Sequence, residues 1–427
     1  MSATQVSNDV TRELRAICGD ENTRERPNGG VYVSPSSAEE VAAVLSFANE
    51  HGLSLGPAGG STERSAAELQ TNILLHLNQL TQIDHYDHAD LTVGVGAGMT
   101  IAQLNEMVGA DQLMFAGDPA SPERCTVGGL LATASHGPLR HGHGAVRDYC
   151  IGVRFVTGDG RRAKGGGRVV KNVAGYDLMK LLIGSYGTLA VITSASFKLF
   201  PAPRQTRTYL AEFSSAAEAL EFRDRIVRSP LSLMCLELVS PGARKIMRPE
   251  MASDAWVICL RASGSDNVLA RYRQELGQAI TRELEGAAER EMWRAIQSFP
   301  DTAKVLGNGM SVSAIRQRIQ ITAPPRSVLP VVEALNTLSV GDDIGTAMIG
   351  RVGVGHVQAV VWSSTSKPSD VSSKVVDALR KSAGLDLAMR VEGALNPWPI
   401  APSNIASMRA VKRALDPKNI LRGRETF

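Results

Sequence analysis

The sequence predicts an α+β protein built from more than one domain, and three observations carry that expectation. At 427 residues the chain exceeds what one ordinary hydrophobic core supports. Its 40 glycines cluster between Gly56 and Gly187, where backbone must turn sharply or approach a ligand closely. Beyond Pro201-Ala202-Pro203, strand and helix candidates alternate in the manner of helices packed on a sheet.

The first elements follow from local signals. Val31–Val33 is β-prone, and Ser37-Ala38-Glu39-Glu40 is a capping box at the head of a helix. Val41, Val44, Leu45 and Ala48 share one face of that helix, and Gly52 stops it. Leu53–Leu55 then enters the loop Gly56-Pro57-Ala58-Gly59-Gly60-Ser61-Thr62, completing a strand–helix–strand unit. Ile73–Leu77 and Leu91–Val95 read as strands, and Thr100 caps a helix carrying Ile101, Leu104 and Val108 on one side. Gly128–Ala134 opens a further helix. Ile151–Val156 alternates as a strand into a hairpin-type turn at Thr157-Gly158-Asp159-Gly160. A short helix at Leu178–Ile183 and a strand at Leu189–Leu199 close the first part.

In the second part, helices are expected at Ala216–Val227, Asn267–Leu284 and Val328–Leu338. Strands are expected at Tyr209–Phe213, Trp256–Arg261, Ile319–Ala323, Ile344–Val352 and His356–Trp362. Asn396-Pro397-Trp398-Pro399 breaks the chain before a last helix near Ser403–Leu415. Domain boundaries are therefore expected to give segments 1–200, 201–395 and 396–427.

Composition narrows the function classes. A net charge of +3 without a dense Lys/Arg stripe argues against nucleic acid as partner. The N-terminus lacks a basic segment followed by an apolar one, and no run approaches the roughly eighteen apolar residues of a membrane span. The five cysteines (Cys18, Cys125, Cys150, Cys235 and Cys259) show no CxxC spacing. They read as reduced thiols of a cytoplasmic protein, with no disulfide framework, zinc site or iron–sulfur site.

Three glycine-containing blocks could carry chemistry. In Pro57-Ala58-Gly59-Gly60-Ser61-Thr62, small residues leave N–H groups unobstructed, as a phosphate nest requires, although such a loop can equally be a tight turn. It is neither a Walker A loop nor a GxGxxG opening a helix. Gly117–Ser121 and Cys125–Gly137 would let a flat ring lie against main chain. Lys171-Asn172-Val173-Ala174-Gly175-Tyr176-Asp177-Leu178 leads into Gly184–Thr193. The three blocks in this order are far more specific than any one alone.

On these blocks, Val31–Leu199 resembles the FAD-binding domain of the vanillyl-alcohol oxidase / PCMH superfamily. The run Lys171–Leu178, after Gly165-Gly166-Gly167-Arg168-Val169-Val170, resembles the FAD-binding subunits of glycolate oxidases more than their catalytic siblings. The resemblance implies a two-subdomain PCMH-type FAD domain, an α/β cap with helices on an antiparallel sheet, and a C-terminal segment returning to the FAD domain. It implies that Pro57, Ala58, Gly59, Gly60, Ser61 and Thr62 bind the FAD pyrophosphate. Pro119, Ser121, Thr126, Gly128, Gly129, Ala132, Thr133, Ser135 and Gly137 would line the rest of the cofactor, and Ile192 would meet it through its backbone. The FAD should be non-covalent, because Ser61-Thr62 follow Gly59-Gly60 where covalent relatives carry a histidine.

The same resemblance implies glycolate oxidation to glyoxylate, a small 2-hydroxy acid as substrate, and electron transfer within a hetero-oligomer. Its partners would be a catalytic FAD subunit and an iron–sulfur subunit, and its place cytoplasmic or peripheral at the inner membrane through that complex. One departure bears on catalysis. Hydroxy-acid oxidisers carry His-x-Gly-Asp-Gly-Asn-x-His for metal and substrate, whereas this chain has Gly353-Val354-Gly355-His356-Val357. No catalytic residue is assigned, and a self-sufficient dehydrogenase and a non-catalytic assembly subunit remain rival readings. His136, His141 and His143 read as loop histidines and not as a metal site. Tyr176 and Asp177 read as the anchor and cap of the helix at Leu178, with a role toward substrate or flavin as the alternative for these two and for Lys171 and Asn172. Arg147-Asp148 reads as an ion pair or a loop anchor.

Overall fold

In the computed structural model the described residues are 7–27, 29–62, 70–168, 176–247, 253–305, 315–341, 344–363, 368–383, 387–391 and 404–422. They form two compact units. The first takes the described residues of Met1–His136, Gly144–Ala202 and Pro402–Phe427, and the second those of Gly137–His143 and Pro203–Ala401. Lys171–Gly175, part of the third glycine block, lies outside the described residues.

The first unit has two main sheets, each with its own core. Val31–Val33, Ile73–His76 and Leu55–Ala58 run parallel, with Thr23–Glu25 antiparallel at the edge. Helix Ala38–His51 supplies the crossover a parallel pair needs. Its Val41, Val44, Leu45 and Ala48 are fully buried against Val33, Leu55 and Leu75. Ser37 caps it by accepting from Glu40 N–H at 3.1 Å. The Glu40 carboxylate reaches back to Ser36, one residue beyond the expected box. Gly52, at φ 64°, ends the helix where a left-handed residue is required.

The second sheet is antiparallel, in the order Ile83–Asp87, Thr92–Gly96, Ala190–Lys198, Cys150–Thr157 and Arg162–Gly166. Helix Ile101–Gly109 opens with a full capping box between Thr100 and Gln103. Asp177 stands at the N-cap position of helix Leu178–Leu182 without making a side-chain cap bond. It pairs instead with Lys180 at 2.8 Å, so its charge stays on the helix surface. Asp148 accepts from Ala145 N–H at 2.8 Å, which makes it a loop anchor.

The C-terminal residues close the first sheet. Leu421 bridges Leu55 in parallel, Leu55 N–H donates to Ile420, and Arg422 N–H donates to Leu55, both at 2.8 Å. Lys412 fastens this arm, with Nζ donating to Thr188 carbonyl (2.6 Å), Leu421 carbonyl (2.9 Å) and Asp416 carboxylate (2.5 Å). Asp416, fully buried, also accepts from Ile420 and Leu421 N–H.

The second unit is one eight-stranded sheet in which every pairing is antiparallel. Its order is Arg282–Leu284, Thr206–Phe213, Trp256–Ser263, Cys235–Val239, Ile344–Arg351, His356–Ser363, Ile315–Thr322 and Ala388–Val391. The expected helix over Asn267–Leu284 is shorter. It ends at Leu276 because Gly277 takes φ 64°, and Arg282–Leu284 becomes the edge strand. Helices Ala216–Arg228, Asp266–Leu276, Val328–Gly341 and Pro368–Ala383 cover one face, burying Leu220, Leu269, Val332 and Val375 against Leu236, Ile258, Ala359 and Ile319. The other face is divided. Helices Pro241–Met247 and Gly286–Val305 cover its apolar part, where Trp293, Ile296 and Phe299 meet Leu210, Cys259 and Ile349.

Removing one partner of a buried ion pair leaves the other charge uncompensated. Lys412→Met should therefore cost about 3 kcal/mol in urea unfolding, and a loss below about 0.5 kcal/mol would show that the arm does not depend on this pair.

Candidate functional site

The first unit holds a cleft whose lining is almost entirely backbone and small side chains. Pro57, Ala58, Gly59, Gly60, Ser61, Thr62, Thr126, Gly128, Gly129, Ala132, Thr133 and Ile192 line it, so the structure brings these expected residues together. Pro119, Ser121, Ser135 and Gly137 are not in its lining. Ser121 carbonyl accepts from Arg124 and Cys125 N–H, and Gly137 belongs to the second unit. Tyr186, Gly187, Ala190 and Val191 of the third glycine block join the wall, and Leu77 and Ala97 reach it from elements without a glycine motif. Among the described residues, none that lines it carries a charge.

Close backbone packing creates this cleft. A Cβ on Gly60 would overlap the Arg124 carbonyl, and one on Gly59 would overlap the Thr126 hydroxyl. A Cβ on Gly187 would overlap Pro57. These glycines are thus required first by chain meeting chain. Gly129 differs, because its Cβ would meet only Thr126 Oγ1, at 3.1 Å.

Arg124 donates to the carbonyls of Gly60 (3.2 Å) and Ser61 (3.5 Å), holding the loop by its acceptors. Among the described residues, nothing accepts from the N–H groups of Gly59, Gly60 or Ser61. Ser61 and Tyr186 take left-handed φ of 54° in the lining, and Ala134 takes φ 51° as the left-handed C-cap of helix Val127–Thr133. Donors without acceptors and a cradle of small residues among the described residues together fit an anionic diphosphate ligand.

Cys125 and Cys150 sit in the adjoining core and do not line the cleft. All five cysteines are buried, and burial pushes the Cys150 thiol up to about 12.

The second unit presents a polar patch that local reading missed. Beyond the apolar part of its second face, Arg318, Arg351, Arg390, His356 and Gln358 are all buried at 6% exposure or less. Strand register places them together: Arg351 opposes His356, His356 opposes Thr322, and Gln320 lies between Gln358 and Arg390. The polar alternation in Ile315–Thr322 and in His356–Ser363 signals such a face, but only register unites residues of separate strands.

Arg351 is 1% exposed, and its Nε donates to Gly137 carbonyl at 2.7 Å and lies 3.5 Å from Oε1 of fully buried Glu237. His356 Nδ1 is 3.1 Å from Thr322 Oγ1. Burial, reinforced by Arg351, Arg140 and Arg318, holds the His356 imidazole well below its usual range, so it is neutral at pH 7. The turn between these strands is closed by Gly355 at φ 72°, where a Cβ would overlap Ala323 carbonyl. His141 packs its ring on Gly353, and burial likewise lowers His141 and His143.

A metal does not fit this patch. The expected motif has histidines where this chain has Arg351 and Gln358, and a guanidinium offers a metal no lone pair. Among the described residues no three His, Cys, Asp or Glu side chains are grouped to hold a metal ion.

Comparison with known proteins fits both units. Residues 30–166 match the FAD binding domain family, and residues 202–424 match the C-terminal domain of FAD linked oxidases. The chain belongs to the FAD-linked oxidases. It is an FAD-dependent oxidoreductase. D-lactate dehydrogenase of Archaeoglobus fulgidus is 29% identical over 92% of this chain and 90% of its own. Glycolate oxidase subunit GlcD of Bacillus subtilis is 25% identical over 99% and 97%. Glycolate oxidase subunit GlcE of Escherichia coli is 36% identical over 36% of this chain and 44% of its own.

The 4-ethylphenol oxidase of Gulosibacter chungangensis matches with a TM-score of 0.75 at 16% identity, covering 99% of this chain and 98% of that one. That likeness establishes the fold, the α+β PCMH-type architecture the sequence predicts. Among the described residues, no helix of this FAD-linked oxidase is long and apolar enough to cross a membrane.

The two kinds of glycine separate packing from ligand contact. Gly60→Ala should lose FAD, read as 450 nm absorbance per chain, and also lower the melting temperature of the apoprotein. Gly129→Leu should lose FAD while the apoprotein melts within about 2 °C of wild type. Full flavin occupancy in Gly129→Leu would place the cofactor elsewhere.

Proposed function

We propose that this chain is the FAD-binding subunit of a glycolate dehydrogenase (glycolate oxidase) complex, which oxidises glycolate to glyoxylate and passes electrons to an iron–sulfur subunit. One observation carries the reading: the polar patch keeps the guanidinium groups that a carboxylate substrate requires, while Arg351 and Gln358 replace the histidines of the hydroxy-acid oxidiser motif. Relatives named for D-lactate and glycolate support the substrate class, and the one named GlcE supports the subunit role.

Bound FAD supplies two-electron oxidation of a C–H bond. This chain's own contribution in the first unit is a cradle of main chain and small side chains with Pro57–Thr62 on the pyrophosphate. Thr126, Gly128, Gly129, Ala132, Thr133 and Ile192 take the remainder, held non-covalently. Ser121 and Ser135 act from outside the cleft lining, Ser121 by accepting from Arg124 and Cys125 N–H and Ser135 by donating its N–H to the Leu130 carbonyl. In the second unit, arginines orient a carboxylate, and neutral His356, fixed by Thr322, is the group able to accept a hydroxyl proton.

That last feature favours a second reading, in which the chain is a dehydrogenase by itself. Anaerobic mixing with glycolate separates the two. The subunit reading expects bleaching of flavin at 450 nm only when the chain is purified with a larger flavoprotein and a cysteine-rich partner. Bleaching by the isolated chain at the rate of the complex would establish the second reading. A complex unreduced by glycolate, D-lactate and D-2-hydroxyglutarate would remove the hydroxy-acid assignment altogether.

A further inference from the structure

Resting on the hydroxy-acid reading above, we infer that Arg351 stands in for the divalent metal of motif-bearing relatives, making the polar patch of the second unit a metal-independent site for a small carboxylate. A metal in such a site does two things: it supplies fixed positive charge and it accepts oxygen lone pairs from the substrate. A guanidinium can do both toward a carboxylate, through charge and through N–H donors in a planar fork.

The geometry fixes Arg351 for that role. Gly137 carbonyl and Glu237 engage Nε, on the inner side of the fork. Nη1 is buried and has no hydrogen-bond partner among the described residues. Such a donor is rarely left unsatisfied inside a protein. Gln358 lies diagonally across the hairpin from Arg351, and its Oε1 is likewise buried without a partner. A 2-hydroxy acid brings acceptors for the first and a hydroxyl donor for the second.

Electrostatics point the same way. Burial holds His356 neutral, and Arg351, Arg140 and Arg318 all bear on it in the same direction. A dication would be repelled by these groups, whereas an anion is attracted by them.

The test uses FAD-loaded full-length protein and oxalate, a planar dicarboxylate that cannot be oxidised by loss of hydride, followed by titration calorimetry. Affinity should be unchanged within twofold between EDTA-treated protein and protein supplied with Mn²⁺ or Zn²⁺. The double variant Arg351→Gln/Glu237→Gln, which removes both charges of the buried pair together, should bind at least tenfold more weakly. Arg351→Lys should fall between the two. Binding that vanishes on chelation and returns with metal would overturn the inference, as would no binding at all or wild-type affinity in the double variant. Should that variant lose its fold or its flavin, the chelation experiment still decides. Because oxalate binding needs no turnover, failure of glycolate to bleach the flavin would sink the functional reading while leaving this result standing.

Discussion

Gly60 and the Arg124 carbonyl meet where no side chain could come between them. That contact presses the loop Pro57–Thr62 against the segment leading into helix Val127–Thr133, so two stretches of main chain form opposite walls of one cleft. Arg124 reinforces it by holding the loop's carbonyls, leaving N–H groups to serve a ligand. The parallel strands, the crossover helix and the C-terminal arm all buttress the strand that delivers the loop. A site made of backbone needs such support, because it has no long side chains to adjust a misplaced ligand.

The second unit follows another rule. Its sheet buries both faces, but differently: aliphatic side chains under four helices on one, and a divided apolar and cationic surface on the other. Burying several arginines costs several kcal/mol each unless they find partners. Glu237 and the Gly137 carbonyl meet that requirement for one of them. Retaining several buried charges on one face of the sheet sets this part of the chain apart from its aliphatic opposite face.

Much of the architecture was legible because local chemistry wrote it. Ser37, Gly52, Thr100 and the Thr157–Gly160 turn act within a few residues, and helices and strands begin or end there as expected. Elements without such marks were not. Cys235–Val239 is buried at every position and shows no alternation, and Gly286–Val305 carries Pro300 within its length. The cleft was legible where glycine motifs line it. Leu77 and Ala97 reach it only through folding, and Ser135 reads like a lining residue yet caps the end of a helix, its N–H bonded to Leu130. Arg318, Arg351 and Arg390 were invisible as a group, since strand register alone brings them to one face.

We propose that main-chain N–H groups of the first unit hold the cofactor. Amide hydrogen exchange read by mass spectrometry, comparing flavin-free with FAD-loaded protein, tests it most directly. The account predicts that FAD slows exchange at Gly59–Thr62 and across the segments carrying Thr126–Thr133 and Tyr186–Ile192, with little change in helix Asp266–Leu276 of the second unit. Unaltered exchange at Gly59–Thr62 on full loading with FAD would contradict it.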